Sequence, residues 1–547
     1  MATDSKLSIG KSLKKFYQIL KLDKKDISSI YAFAILAGVV QLSLPLGIQT
    51  IISFLLAGSV STSIIVLILL VVFGTFLNGL LQVRQLEIIE KLKQKIFLRY
   101  GLEFSDRLPK LNNEKLDDYY LPELVNRFFD TISLQKGLDK LLLDLPAAII
   151  QILLGLMLLS FYHPVFIGFG IIMLFILILI LYLTSPRGLA LAMQSSDYKY
   201  QVVAWLQETA RMVKSFKYSK SDLHILKTDR LIGNHLEART SYFKILLFQF
   251  WSLISFKIII TAAMLIVGTV LFIDQQINVG QFIAADIVII TIINSIEKLI
   301  VSLDTVYDAL VSVEKLGKIT EAEIETGGNL ILNDMGQGLS VQFKNTSFTY
   351  PNGNEILNNV NFSIAAGQLV NIAGKSGSGK STILRLLTGV YKNYEGIILV
   401  NGQSVSNYTL DSLRDTTAVL LSNQDIFQGT LWENLTMCNI SSNLNEVNDL
   451  VVKLGLADFV QSDKEGLHMM IDPVGKRLSK QTKQKILLIR ALVANHRLLL
   501  LEEPFEYLDK ASADTLLVWL KNLKNTTVII ASDDEFLSKE CNLTIRL

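Results

Sequence analysis

Cysteine is nearly absent from this chain of 547 residues, which contains only Cys438 and Cys541. Both lie in the C-terminal part, so no disulfide framework is expected, and the scarcity fits a reducing compartment such as the cytoplasm. The formal net charge is +2, without the basic excess that a dedicated nucleic-acid binder carries. The chain begins with polar and basic residues, so no cleavable signal peptide is predicted.

Charged residues are also scarce, whereas apolar residues dominate the composition. Charged side chains make up 19% of the sequence, hydrophobic ones 50%, and the mean hydropathy is +0.40. A soluble protein of this size rarely has such an apolar average, so membrane spans are predicted. Six apolar stretches are each long enough to cross about 30 Å of hydrocarbon. They are Ile27–Leu56, Ser63–Val83, Leu143–Tyr162, Val165–Leu183, Leu246–Ile273 and Phe282–Leu303.

The loops between these stretches are unequal, and their charges predict the orientation of the chain. The loops after the first, third and fifth spans are short and contain no Lys or Arg. The segments after the second and fourth spans are long and basic, as in Lys91–Arg107 and Arg187–Arg239, and they are predicted to continue as cytoplasmic helices. The N-terminus and everything after the sixth span are then cytoplasmic as well.

The first 26 residues carry seven lysines, with apolar residues such as Leu13, Phe16 and Leu20 at helical spacing between them. This pattern predicts an amphipathic helix on the cytoplasmic membrane surface. A solvated lead-in to the first span is the alternative.

Two ionisable residues stand out within the spans, namely Lys257 in the fifth and Asp286 in the sixth. Charged groups are costly in hydrocarbon, so they usually face a partner or a water-filled path. They could line a substrate pathway, they could form a helix-to-helix ion pair, or Lys257 could extend to the interface. Glu297 and Lys298, near the cytoplasmic end of the sixth span, are expected to be solvated.

A change in pattern after the sixth span predicts the domain organisation. Apolar runs give way to a segment rich in glycine and acidic residues, and then to alternating strands and helices. We predict a cytoplasmic lead-in over residues 1–26, a six-helix all-α transmembrane domain over 27–320, a linker over 321–337 and an α/β P-loop domain over 338–547.

A glycine-rich loop carries the strongest chemical signal in the sequence. A predicted strand, Gln368–Ala373, is followed by the pattern G-x-x-x-x-G-K-S and then by a helix. Backbone N–H groups of such a loop surround phosphates, Lys380 would reach the β- and γ-phosphates, and Ser381 would bind Mg²⁺. The predicted nucleotide-binding residues here are Gly374, Lys375, Ser376, Gly377, Ser378, Gly379, Lys380, Ser381 and Thr382.

Three further residues complete the candidate nucleotide site. Glu502 closes the apolar run Leu498–Leu501 and could hold Mg²⁺ together with Ser381, while Glu503 could orient and deprotonate the attacking water. Tyr350 ends a predicted strand upstream and could stack on adenine, although a tyrosine at such a position could also simply pack.

The order of these motifs resembles the ATPase domain of ABC transporters over residues 338–547. It comprises the phosphate loop, a signature region containing Ser479, the strand with two glutamates, and Leu508-Asp509. The membrane half resembles the exporter arrangement of the same family. Leu44-Pro45-Leu46 and Gly280–Ala284 are similar to segments of bacterial type I secretion and bacteriocin exporters.

Several positions depart from the pattern of that family. The signature L-S-G-G-Q is replaced by Leu478-Ser479-Lys480-Gln481-Thr482, which puts side chains where glycines allow a partner's γ-phosphate to approach. The Q-loop glutamine position falls on Ser422, and Gln424 could replace it only after a two-residue shift. The first carboxylate after the apolar strand is Glu502 instead of aspartate. The switch histidine is replaced by Asp533, whose carboxylate would repel a γ-phosphate unless it were protonated or bridged by Mg²⁺.

The resemblance implies a dimer, because each phosphate loop of an ABC transporter faces the signature of a second chain. Ser479 would then contact ATP held by the partner, in a homodimer or in a heterodimer with another half-transporter. The preserved residues predict binding of ATP and Mg²⁺. The altered residues predict weak or partner-dependent hydrolysis.

The resemblance also bounds the biological role. It implies an integral membrane protein, in the inner membrane of a bacterium, that exports a polypeptide. A lipid or small-molecule exporter is the first alternative. A nucleotide-gated regulatory or structural subunit without useful turnover is the second. About 26 residues precede the first span, so no N-terminal peptidase domain is expected.

Overall fold

The computed structural model describes residues 9–57, 62–112, 114, 121–334, 336–351, 353–438, 443–493 and 496–547. The chain divides into two compact units. Within the described residues, the first unit contains those up to Lys110 and those from Leu121 to Ala322. The second unit contains residues 111, 112 and 114 and everything from Glu323 onward.

The first unit is helical throughout its regular structure. Its helices are α1 Ile9–Leu20, α2 Lys24–Gln41, α3 Ser43–Leu56, α4 Thr62–Arg107, α5 Leu121–Val125, α6 Asp130–Leu138, α7 Leu145–Tyr162, α8 Val165–Arg211, α9 Val213–Tyr218, α10 Leu223–Ile273, α11 Val279–Val301 and α12 Leu303–Thr320. Short 3₁₀ turns and one π-helical stretch, Asp139–Asp144, connect some of them.

Six helical segments of the described chain are long and apolar enough to cross a membrane, as predicted. The helices predicted to continue beyond the spans do so, because α4, α8 and α10 run on for 46 to 51 residues without a break. The first span differs from the prediction, since it consists of α2 and α3, separated at Leu42. The restart at Ser43 places Pro45 in the first turn of α3, where its missing N–H costs no helical hydrogen bond.

Helix α1 differs from the expectation of a helix lying on the membrane surface. Its apolar side packs against α12, and Phe16 and Leu20 are buried there. The Ser12 hydroxyl donates to Glu314 at 3.1 Å, and Lys15 forms an ion pair with the same carboxylate at 2.9 Å. The amphipathic pattern is therefore satisfied by protein, because burying the apolar face against a neighbouring helix removes it from water just as lipid would.

Lys257 forms an ion pair between the fifth and sixth spans, and its partner is Glu297 and not Asp286. Lys257 Nζ lies 2.5 Å from Glu297 Oε2, so the expectation that Glu297 is merely solvated was wrong. Asp286 is half-buried, and its side chain has no hydrogen bond or ion pair with the described residues. A lysine at mid-helix can reach a carboxylate one or more turns away on the facing helix, which sequence distance does not reveal.

We expect Lys257→Met and Glu297→Gln each to lower the thermal unfolding midpoint of the protein in lipid. Either single change leaves an uncompensated charge or acceptor between two spans, at a cost of about 1–3 kcal/mol. The double variant should recover most of that loss, because it removes both charges. Lys298→Met, on an exposed neighbour, is the control. Additive losses in the double variant would show that the two side chains are not energetically coupled.

The second unit combines three sheets with short helices. Its strands are β1 Val341–Thr349, β2 Glu355–Ile364, β3 Leu369–Ala373, β4 Tyr394–Val400, β5 Gln403–Ser404, β6 Thr417–Leu420, β7 Gly429–Thr430, β8 Met470–Ile471, β9 Leu498–Glu502, β10 Thr527–Ala531 and β11 Leu543–Arg546. Its helices are α13 Lys380–Leu387, α14 Leu410–Asp415, α15 Leu431–Thr436, α16 Leu444–Lys453, α17 Ala457–Gln461, α18 Lys480–Leu492, α19 Lys510–Lys521 and α20 Glu535–Glu540.

The central sheet of the second unit is parallel, with strand order β11-β3-β10-β9-β6. Its inner strands are almost continuously apolar and buried, as expected for a sheet covered on both faces. An antiparallel sheet of order β2-β1-β4-β5 packs its apolar side into the same core as α13. The residues that follow neighbouring parallel strands therefore meet at one edge of the central sheet.

Candidate functional site

The glycine-rich loop leaves that edge after β3 and leads directly into α13. Gly377 and Gly379 adopt φ angles of +85° and +97°, which a residue with a side chain adopts only under strain. A Cβ on Gly379 would also lie 2.5 Å from a methyl carbon of Leu357. These two glycines let the backbone turn tightly, so that the start of α13 and the loop N–H groups face one cavity, an arrangement that suits an anion.

The ammonium of Lys380 is held inside this loop. Its Nζ donates to the carbonyl oxygen of Gly374 at 2.5 Å and pairs with the carboxylate of Asp533 at 2.6 Å. The side chain is only 10% exposed, so the cation is confined to the cavity. Asp533 follows β10, which neighbours β3, and parallel strand order brings the two residues together.

Glu502 forms the centre of a second group of polar contacts. Its Oε1 accepts hydrogen bonds from the hydroxyls of Ser381 at 2.5 Å and Ser422 at 3.0 Å. Its Oε2 accepts the backbone N–H of Ser422 at 2.9 Å. Ser422, two residues after β6, supplies two of these donors, which hold the glutamate side chain at the sheet edge.

The position of Gln424 does not restore the missing Q-loop glutamine. Its amide oxygen accepts the backbone N–H of Leu421 at 3.3 Å, and this bond folds the side chain onto its own loop. Ser422 thus lies beside Glu502, whereas the side chain of Gln424 stabilises the turn that follows β6.

The oxygen atoms around Ser381 suit Mg²⁺, which prefers hard oxygen ligands and retains several waters or phosphate oxygens. The hydroxyl of Ser381 and the carboxylate of Glu502 are such ligands and lie next to each other. The described residues contain no cluster of three or more His, Cys, Asp or Glu side chains suited to a metal. A metal here would therefore need oxygens from a nucleotide and water to complete its coordination.

Glu503 has a strained backbone and a fixed carboxylate. Its φ is +42°, and its N–H donates to Ala531 O at 3.0 Å. The Ser532 hydroxyl donates to its Oε2 at 2.6 Å. Burial raises the pKa of the Glu503 carboxyl above its usual range, and the charge of Asp533 adds to this rise, while the Ser532 bond opposes it. A raised pKa makes the carboxylate a stronger base, which suits proton abstraction from water.

One cavity of about 300 Å³ collects most of the predicted residues. Tyr350 and Ser479 do not line it. Its lining consists of Ile356, Ser376, Gly377, Ser378, Gly379, Lys380, Ser381, Thr382, Glu502, Glu503, Ala531 and Asp533. Gly374 and Lys375 stabilise the loop through their carbonyl oxygens. The carbonyl of Gly374 accepts a hydrogen bond from Lys380 Nζ, and that of Lys375 accepts the N–H of Ser378 at 3.0 Å.

Tyr350 packs within its own unit. Its ring lies edge-on to Phe348 and Tyr391, with centroids 4.9 and 5.5 Å away, and its hydroxyl lies 3.1 Å from the hydroxyl of Thr382. This contact links the strand β1 to the first turn of α13. Adenine stacking on Tyr350 stays a prediction.

Ser479 begins α18 as its N-cap, with its hydroxyl accepting the N–H of Thr482 at 3.0 Å. Lys480 and Gln481, whose side chains are expected at the gap between two chains, make contacts within their own chain. Lys480 Nζ lies 5.0 Å above the ring of Tyr507, and Gln481 donates to Asp509 at 2.9 Å. Asp509 is exposed, and its hydrogen bond from Lys485 is the main cause of a lowered pKa.

Sequence reasoning missed Ser532 and the partners of Glu502 and Lys380. Ser532 and Asp533 follow β10, and Ser422 follows β6, so all three share an edge with the phosphate loop. The signal that could have found them is their position one or two residues after a buried strand, combined with the strand order of the sheet.

Two family descriptions match this chain. "ABC transporter transmembrane region" matches residues 28–296, and "ABC transporter" matches residues 357–506. Among curated proteins, the chain is similar to the alpha-hemolysin translocation ATP-binding protein HlyB of Escherichia coli O157:H7, with 31% identity over 282 residues. It is also similar to the uncharacterized ABC transporter ATP-binding protein YwjA of Bacillus subtilis, with 28% identity over 275 residues.

These alignments cover 51% and 50% of this chain, and 40% and 48% of HlyB and YwjA. The chain thus spans less than half the length of either relative. A solved structure of a bacterial Atm1-family ABC exporter with ATP bound has the same fold, with a TM-score of 0.80, 19% identity, and coverage of 96% of this chain and 94% of that one. The chain belongs to the ABC transporters, with a transmembrane region of six helices and an ABC ATPase region in one polypeptide.

Proposed function

We propose that this chain is a half-transporter of an ABC exporter that couples ATP binding to transport across a bacterial inner membrane. The transmembrane domain would extend over residues 27–320 and the linker over 321–337. The ATPase domain, residues 338–547, would lie in the cytoplasm. The observation that carries the proposal is the cavity in which the phosphate loop, Lys380, Ser381 and two glutamates meet.

The phosphate loop and the two glutamates of this cavity have tasks that their surroundings support. The loop from Gly374 to Thr382 would hold the phosphates of ATP, with Lys380 as the cation. Ser381 and Glu502 would hold Mg²⁺, which screens the phosphate charge. Glu503, whose pKa is raised by burial, would accept a proton from the attacking water.

The site of one chain is incomplete, and a second chain would complete it. Ser479 caps α18 and lies outside the cavity of its own chain, as expected for a residue that contacts nucleotide in a partner. We therefore propose a dimer, either of two copies or with another half-transporter. Similarity to HlyB, named for translocation of alpha-hemolysin, favours a polypeptide substrate. A lipid or amphiphilic small molecule is the alternative.

A nucleotide-gated regulatory subunit is the second candidate function. The contacts of Asp533 with Lys380, and the serine at position 422, favour it, because both alter the surroundings of the γ-phosphate. Such a subunit would use ATP as a ligand that shifts a conformational equilibrium.

Steady-state ATP turnover by the purified protein in lipid tests whether this chain hydrolyses ATP without another half-transporter. Glu503→Gln is the control, because it removes the base and keeps the shape. If turnover is measurable and falls by about 100-fold or more in the variant, the chain works as an exporter subunit with its own ATPase activity. If ATP binds but turnover is absent from both proteins, the chain is regulatory or requires a catalytic partner.

A further inference from the structure

The carboxylate of Asp533 contacts the phosphate loop at two points. Its Oδ1 lies 2.6 Å from Lys380 Nζ and accepts the backbone N–H of Gly374 at 3.4 Å. An ammonium and a loop N–H are the two kinds of donor that such loops offer to phosphate oxygens. The carboxylate therefore binds the loop in the manner of a phosphate.

The ammonium of Lys380 has little freedom to move between the carboxylate of Asp533 and a bound phosphate. Its side chain is 10% exposed, and the carbonyl oxygen of Gly374 fixes the ammonium at 2.5 Å. Asp533 is less confined, because its side chain is 50% exposed. Of this pair, the aspartate is thus the member that can move when another anion arrives.

The lining of the cavity contains more carboxylates than cations, so the positive charge of Lys380 is important for binding an anion there. Among the described residues that line the cavity, the carboxylates are Glu502, Glu503 and Asp533, and the cation is Lys380. Glu502 accepts hydrogen bonds from two serines, and Glu503 accepts one from Ser532. Of these three carboxylates, Asp533 is therefore the one that forms an ion pair with Lys380.

We infer that Asp533 competes with the phosphates of ATP for Lys380 and so lowers the affinity of this site for nucleotide. This inference rests on the proposed function, because it takes the glycine-rich loop to be the nucleotide site. It adds an affinity-setting role for Asp533 that is separate from the loss of a histidine at this position. Binding of ATP must detach the carboxylate from the lysine, and the free energy of that contact is subtracted from the binding free energy.

Three variants test the competition. Asp533→Asn removes the charge with little change of shape, Asp533→Glu keeps it, and Asp534→Asn removes a charge from the next residue. Asp534 caps α20 by accepting the N–H of Phe536 at 2.9 Å, and asparagine can cap equally well, so this control should fold normally.

The measurement is calorimetric titration of each full-length protein in lipid nanodiscs with ATP and Mg²⁺. We expect Asp533→Asn to lower the Kd about fivefold, a size typical of a partly exposed ion pair. Asp533→Glu and Asp534→Asn should stay within about twofold of the unaltered protein. Thermal unfolding of each variant checks that the fold is kept.

Equal Kd values for the unaltered protein and Asp533→Asn would overturn the competition and leave the nucleotide site in place. A similar gain from Asp534→Asn would also overturn it, since general charge rather than contact with Lys380 would then be responsible. Absence of ATP binding by all proteins would overturn the proposed function and the inference with it.

Discussion

Replacing Lys380 by alanine is expected to weaken ATP binding by about 10- to 100-fold. The ammonium is the cation of the cavity among its described lining residues, and charge-assisted hydrogen bonds of this kind contribute about 1.5–3 kcal/mol. The loop should keep its tight turn, because that turn depends on the positive φ angles of Gly377 and Gly379, although it loses the hydrogen bond from Lys380 to the carbonyl of Gly374. The measurement is an ATP titration of the full-length protein in lipid.

Lys344→Ala serves as the matched control, because it removes the same charge from an exposed position on β1 of the same unit. Its ATP affinity should stay within about twofold of the unaltered protein. Equal affinities for Lys380→Ala and the unaltered protein would refute the assignment of the phosphate loop.

The second large effect is expected from restoring the altered motifs. A triple variant with Asp533→His, Lys480→Gly and Gln481→Gly should hydrolyse ATP about tenfold faster or more, equivalent to ~1.4 kcal/mol of barrier. The histidine can donate a hydrogen bond to the γ-phosphate, where the aspartate repels it. The two glycines remove the side chains of Lys480 and Gln481 at the start of α18, which now contact Tyr507 and Asp509.

The control for the triple variant carries the same two glycines with Asp534→His in place of Asp533→His. It should stay slow, since its histidine follows the switch position by one residue. Unchanged turnover by the triple variant, in a dimer shown to form correctly, would mean that these motifs do not limit hydrolysis.

The phosphate loop could be predicted because its signal is local. The loop, the strand before it and the helix after it are contiguous in sequence, and the glycines that the turn requires stand in that run. The spans were predictable for the same reason, since each depends on one continuous apolar stretch. Their helical extensions were visible only as basic segments, and hydropathy cannot show where such helices end.

The contacts between distant residues could not be predicted in the same way. Lys380 and Asp533 are 153 residues apart, and only the order of β3 and β10 in the sheet brings them together. Lys257 was assigned to a pathway or an ion pair, but its partner Glu297 depends on how α10 and α11 face each other. The side chains of Lys480 and Gln481 turn toward their own chain because Tyr507 and Asp509 offer nearby partners.

We expect this chain to hold ATP in its phosphate loop but to hydrolyse it slowly. A single-turnover experiment tests this directly: the purified protein in lipid is mixed with less than one equivalent of labelled ATP and Mg²⁺, and bound ATP and ADP are quantified over time. We predict that ATP binds and stays largely unhydrolysed for minutes. Conversion to ADP within about a second, as for an enzyme of ordinary kcat, or no bound nucleotide at all, would show that this chain is not a slow ATP-holding subunit.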